Sequence, residues 1–232
     1  MVALIDRPSP NHDARPERGG EPCPPDLLLL HYTGMQTGQA ALERLCDPVA
    51  KVSAHYLIEE DGRVFRLVPE HRRAWHAGVA FWAGVTNVNG CSLGIELVNP
   101  GHEFGYRAFP ESQMTALSEL LHVLKAKYGI APARIVGHSD VAPLRKTDPG
   151  ELFDWPRLAA EGLAQAIPEP RQVVPEPATA RGHLAELGYG FLQDDFSAVV
   201  AAFQRRFRPA RVTGILDDET AGLLAALVET QE

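Results

Sequence analysis

The chain has 232 residues, 45% hydrophobic and 22% charged, with a formal net charge of -8. That balance is globular rather than fibrous or disordered, and a chain this long can bury a large core without covalent staples. The acidic surplus and the lack of a basic run argue against a nucleic-acid partner, whose phosphates it would repel.

At the N-terminus, MVALIDRPSPNHDARPERGG places Asp6 directly after Leu4-Ile5 and holds no apolar stretch of signal length. A cytoplasmic location is therefore expected, with the cell envelope as the alternative if a leader is missing from this chain. Cys23, Cys46 and Cys91 are odd in number, widely spaced and without a C-x-x-C pair, which fits a reducing compartment. The run Leu27-Leu28-Leu29-Leu30 ends at His31, as a buried strand would. Residues 55–68, HYLIEEDGRVFRLV, read as a hairpin turning at Asp61-Gly62. The longest uncharged stretch, Ala74 to Ile95, carries His76, two asparagines and four glycines, so no membrane insertion is expected.

Cys91 to Val98 reads as another strand. Met114, Leu117, Leu121, Leu124 and Tyr128 recur at helical spacing, with Gly129 placed to stop the helix. Ile135-Val136 is a short strand ending near His138. Strands punctuated by helices predict an α/β or α+β sheet domain over 1–167. Residues 168–177, PEPRQVVPEP, hold four prolines and predict an extended linker. In 178–232, the apolar residues around Leu184, Phe203 and Leu224 predict three short amphipathic helices closing one small core.

Four positions carry candidate chemistry: His31, Glu96, His138 and Asp148. Two histidines and a carboxylate are the protein ligands of a catalytic zinc site, with the fourth position left to water. Only His138 and Asp148 are local to each other, and a hydrogen-bonded strand-end histidine is the competing reading. In a strand, Leu93, Ile95 and Leu97 point one way and Gly94, Glu96 and Val98 the other. A carboxylate among apolar residues needs a partner, so Glu96 is either ion-paired or exposed, or a general base raised by burial. Lys146 stands two residues before Asp148 in an extended segment and can face the same site, where it would stabilise an oxyanion; the alternative is a solvated lysine.

Taken together, HYTG, SAHYLIEEDG, AWHAG, SLGIELVN, VGHSDVAP and RKTDPG resemble the zinc-dependent N-acetylmuramoyl-L-alanine amidases of the AmpD type. These share a fold with phage amidases and peptidoglycan recognition proteins. The resemblance runs from about Asp6 to about Pro168. It implies a mixed central β-sheet flanked by helices, and one catalytic Zn2+ on His31, His138 and Asp148. It further implies Glu96 as the catalytic glutamate and Lys146 as the lysine near the scissile carbonyl. The substrates implied are peptidoglycan fragments, anhydro-muropeptides among them, cleaved between the lactyl group and L-alanine. Trp75 and His76 are candidates for walling the substrate groove, with a structural histidine as the other reading. Phe81 and Trp82 are either a sugar-stacking pair or core. The alternative function is a non-catalytic recognition protein, but such proteins typically lose a metal ligand and this chain keeps all three.

The tail segments HLAELGY, AVVAAFQRRF and TGILDDETAGLL resemble the three-helix peptidoglycan-binding module that often follows wall hydrolases. They depart from it where Thr213-Gly214 and Asp217 replace its usual Asp-Gly and second Gly. The alternative is a helical appendage that only packs on the first domain.

Overall fold

The computed structural model describes residues 3–230. Six strands form one mixed sheet: β1 (Leu4–Asp6), β2 (Leu27–Tyr32), β3 (Tyr56–Ile58), β4 (Val64–Arg66), β5 (Ser92–Leu97) and β6 (Ile135–Gly137). Their spatial order is β1-β4-β3-β5-β2-β6, and only the β3–β4 hairpin is antiparallel. The four leucines of β2 are wholly buried because both faces of the sheet are covered, as parallel strands require.

On one face, Leu28 and Leu30 join Leu93, Ile95 and Leu97 beneath α3 (Glu111–Tyr128), which contributes Met114, Leu117, Leu121 and Leu124. That helix ends as its spacing predicts: Gly129 takes φ 66°, and its N–H closes on the Lys125 carbonyl. The other face is divided. Leu57 and Phe65 pack under α1 (Gly38–Cys46), while Leu27, Leu29 and Val136 lie in a second cluster. Between the two lies a polar gap that holds the site.

The C-terminal helices α6 (Pro177–Glu186), α7 (Phe196–Phe207) and α8 (Asp218–Glu229) form as expected, but their core is not their own. Leu184, Val200, Phe203 and Leu224 belong to the same apolar cluster as Leu27, Leu29 and Val136 of the sheet. Val88–Cys91 (α2) and Trp155–Ala160 (α5) are short helices, and residues 165–176 have no regular structure. Pro177, expected in the linker, is instead the first residue of α6, where its missing N–H costs nothing and the Glu176 carboxylate caps the N–H groups of Ala178 and Thr179. No helix among the described residues is long and apolar enough to cross a membrane.

Below the gap lies a buried polar layer. Arg15 donates to the carbonyls of Glu70, Gly90 and Ser92 at 2.9, 3.0 and 2.9 Å. His55 has no exposed surface; its Nδ1 accepts the Gly94 N–H at 3.0 Å and its Nε2 donates to the Arg72 carbonyl at 3.1 Å. Burial first, and the Arg15 charge second, push His55 down to about 3 from 6.5. A histidine depressed in the folded state is protonated first in the unfolded chain. Stability is therefore whole above pH 6.5 and falls as pH drops from there toward 3, by about 1.4 kcal/mol per pH unit for this one residue. Urea unfolding of wild type and His55→Gln across pH 4–6.5 checks this: the wild-type slope is expected to be the steeper, and equal slopes would refute it.

Candidate metal centre and active site

The register of three neighbouring parallel strands assembles the site. His31, near the C-terminal end of β2, pairs with Glu96 of β5. On its other side Leu30 pairs with Gly137, so His138, the residue after β6 and first of α4 (His138–Val141), comes up beside His31. The loop after α4 returns Asp148 to the same place, held by the Ser139 N–H on the Asp148 carbonyl at 2.8 Å. Such crevices beyond the carboxyl ends of parallel strands are where open α/β sheets bind ligands.

His31 Nδ1 lies 2.9 Å from His138 Nδ1 and 3.2 Å from Asp148 Oδ2, and His138 Nδ1 lies 3.1 Å from that same oxygen. All three side chains are buried, and together they can hold a metal ion. The donor set fits one. The Ala77 carbonyl, 3.1 Å from His138 Nε2, can only accept and is nearer than the Arg145 guanidinium at 3.5 Å, so the His138 proton sits on Nε2 and its Nδ1 is bare. Donor separations near 3 Å match a tetrahedral zinc, whose bonds of about 2.0–2.2 Å set its ligands about 3.4 Å apart.

Burial, then His138, pushes His31 down to about 4. Burial alone would raise Asp148, but the two imidazoles facing it outweigh this and hold it well below the usual carboxylate range. Neutral imidazole and ionised carboxylate are the forms that bind a cation. Glu96 is displaced the opposite way: burial raises its carboxyl well above the ordinary glutamate range, the Asp148 charge adds to this, and Lys146 opposes it. Glu96 Oε2 is buried with no hydrogen-bond partner among the described residues. A buried acceptor left bare costs free energy, which points to something that binds there.

Residues 21–151 match the N-acetylmuramoyl-L-alanine amidase family. The chain is 36% identical over 230 residues to the N-acetylmuramoyl-L-alanine amidase AmiD of Escherichia coli, spanning 88% of this chain and 82% of that one. The 1,6-anhydro-N-acetylmuramyl-L-alanine amidase AmpD of Salmonella typhimurium is 36% identical over 170 residues, 66% of this chain and 87% of its own. Among solved structures, that of Escherichia coli AmiD with the substrate anhydro-N-acetylmuramic acid-L-Ala-D-gamma-Glu-L-Lys superposes with TM-score 0.80 at 33% identity, covering 93% of both chains. The chain belongs to the N-acetylmuramoyl-L-alanine amidase family. It is a hydrolase of peptidoglycan recycling, with the mixed α/β fold of its relatives.

In this amidase the site opens into a cleft of about 390 Å³, lined by His31, Glu96, His138, Lys146 and Asp148 together with Tyr32, Arg44 and Arg145. Lys146 is half-buried on its wall. Of the two groove candidates, His76 lies in the floor, 7% exposed and bonded to His31, while Trp75 does not line the cleft. Trp82 is core, edge-on to Tyr189 with ring centroids 5.1 Å apart; Phe81 is half-buried beside Tyr189 and Phe191 in a separate apolar groove.

Several contributors escape a reading of the sequence. Arg145 donates to the Ala77 and Val79 carbonyls and so braces the AWHAG loop from the neighbouring wall. His102 meets the Tyr32 hydroxyl at 2.9 Å and Glu151 at 3.2 Å on the rim. Ser92 alone had a legible signal: it shares the strand face of Gly94 and Glu96.

Proposed function

We propose that this amidase is zinc-dependent and cleaves the amide between N-acetylmuramic acid, or its 1,6-anhydro form, and L-alanine of the stem peptide, acting in the cytoplasm on released wall fragments. The observation that carries the reading is the buried, unpartnered Oε2 of Glu96 beside three converging metal donors, brought together by the register of β2, β5 and β6. The substrate complex of the AmiD relative supports the choice of fragment.

His31, His138 and Asp148 would hold the zinc. When bound, zinc acidifies water and polarises a carbonyl. Glu96 takes the proton of the attacking water on its unpartnered carboxylate and passes it to the amide nitrogen as the C–N bond breaks. Its raised affinity for protons suits that transfer near neutral pH. Lys146 faces the oxygen that gains charge as the carbonyl carbon becomes tetrahedral. Residues 177–229 form a docked three-helix module, which we read as peptidoglycan-binding.

The test is mass spectrometry of an anhydro-muropeptide incubated with the zinc-loaded protein, with a chelated sample alongside. Intact stem peptide and free anhydro-sugar are expected, lost with the chelator and restored by zinc. Cleavage that survives chelation would overturn the metal assignment. Release of peptides from intact sacculi only would move the substrate to polymeric wall and give the C-terminal helices a targeting role. Cleavage of neither would leave a recognition protein.

A further inference from the structure

The chain of hydrogen bonds behind His31 ends on a backbone carbonyl, and a carbonyl can only accept. This fixes every proton between it and the cleft. The Val88 carbonyl takes the Ser92 hydroxyl proton at 2.6 Å, leaving the Ser92 oxygen to accept from His76 Nε2 at 3.3 Å. With its proton on Nε2, His76 presents a bare Nδ1 to His31 Nε2, 3.1 Å away. His31 must then donate from Nε2, and its lone pair lies on Nδ1, the atom that faces His138 and Asp148. His138 reaches the same state through its bond to the Ala77 carbonyl.

We propose that His76, backed by Ser92, is a positioning residue that holds His31 in the tautomer and ring orientation needed to offer Nδ1 to a metal. This rests on the zinc reading given above. Outer partners of ligating histidines fix tautomer and orientation in this way and raise ligand basicity.

The local structure is built around that ring. Ser92, Gly94 and Glu96 share one face of β5, and a Cβ on Gly94 would lie 2.5 Å from His76 Cγ, so a side chain at this position would displace the imidazole. Asn89 Oδ1 accepts the backbone N–H groups of His76 and Ala77 at 3.1 and 2.8 Å, which pins the loop on which the ring stands. The two rings meet edge-on, with centroids 5.1 Å apart and planes at 86°. One strand thus supplies the candidate base, the space for the orienting imidazole and the hydroxyl that backs it.

The experiment is a zinc competition titration against a chromophoric chelator for wild type, His76→Ala, His76→Asn and Ser92→Ala. Absorption spectra of the cobalt-substituted proteins and KM at saturating zinc are recorded alongside. His76→Ala is expected to bind zinc about 10–100-fold more weakly and to show an altered cobalt spectrum. Ser92→Ala, which keeps the shape of the site, moves both readouts in the same direction by a smaller factor. His76→Asn, which can still offer an acceptor oxygen to His31, recovers part of the loss. Wild-type affinity and spectrum in both alanine variants would overturn the proposal. So would a raised KM with unchanged zinc affinity, which would make His76 a substrate contact. A wild-type protein that takes up no zinc would instead overturn the metal reading itself.

Discussion

Glu96→Gln is expected to bind one zinc ion at the wild-type level and to cleave the muramyl–alanine amide about 10²–10⁴-fold more slowly. The amide keeps the size of the carboxylate, so the β5 register against His31 and the packing around the side chain are preserved. What it loses is the ability to take a proton. Glu96 Oε2 has no partner among the described residues, so no fixed hydrogen bond ties the group to another role. Asp148→Ala contrasts with it by removing one of three converging donors, and is expected to lose both the metal and the turnover. Metal content and single-turnover cleavage, measured on the same preparations, separate the two. Turnover retained in Glu96→Gln would remove the glutamate from the mechanism.

Arg206→Ala is expected to cost about 3–5 kcal/mol of stability, because it strands a buried charge. Asp140 sits on α4, two residues after His138, and is 1% exposed. Its Oδ2 accepts from Arg206 of α7 at 3.0 Å and from the Gly137 N–H at 2.8 Å, and its Oδ1 accepts the Tyr189 hydroxyl at 2.8 Å. Arg206 also donates to the Ile135 carbonyl at 3.0 Å and lies over the Trp155 ring at 4.4 Å. The C-terminal helices are therefore fastened to the corner that carries a candidate metal ligand. Replacing both charges, in Asp140→Asn with Arg206→Met, is expected to recover part of the loss, since no unpaired ion is left behind. Urea unfolding of the single and double variants reads this out. A single-variant cost below 1 kcal/mol would show that water reaches the pair.

Residues 27–31 and 91–98 spell their strands because four leucines in a row and a carboxylate in strict alternation with apolar residues have few other solutions. The 114–128 helix was legible for the same reason, its apolar spacing and its terminating glycine being local facts. The ordered motifs from HYTG to RKTDPG identified the family and picked out five of the polar residues that line the cleft. None of this shows why His31 meets His138, 107 positions away, or why Glu96 stands beside them. That is decided by parallel register, which depends on how strands far apart in sequence align their hydrogen bonds and bury both faces. The orienting role proposed for His76 and Ser92 was hidden likewise, because a tautomer is fixed by whichever carbonyl ends the hydrogen-bond chain, and only the fold supplies that carbonyl. The tail read locally as three helices with a core of their own. The sheet left Leu27, Leu29 and Val136 uncovered on one face, and burying those against the helices drew both parts into one core.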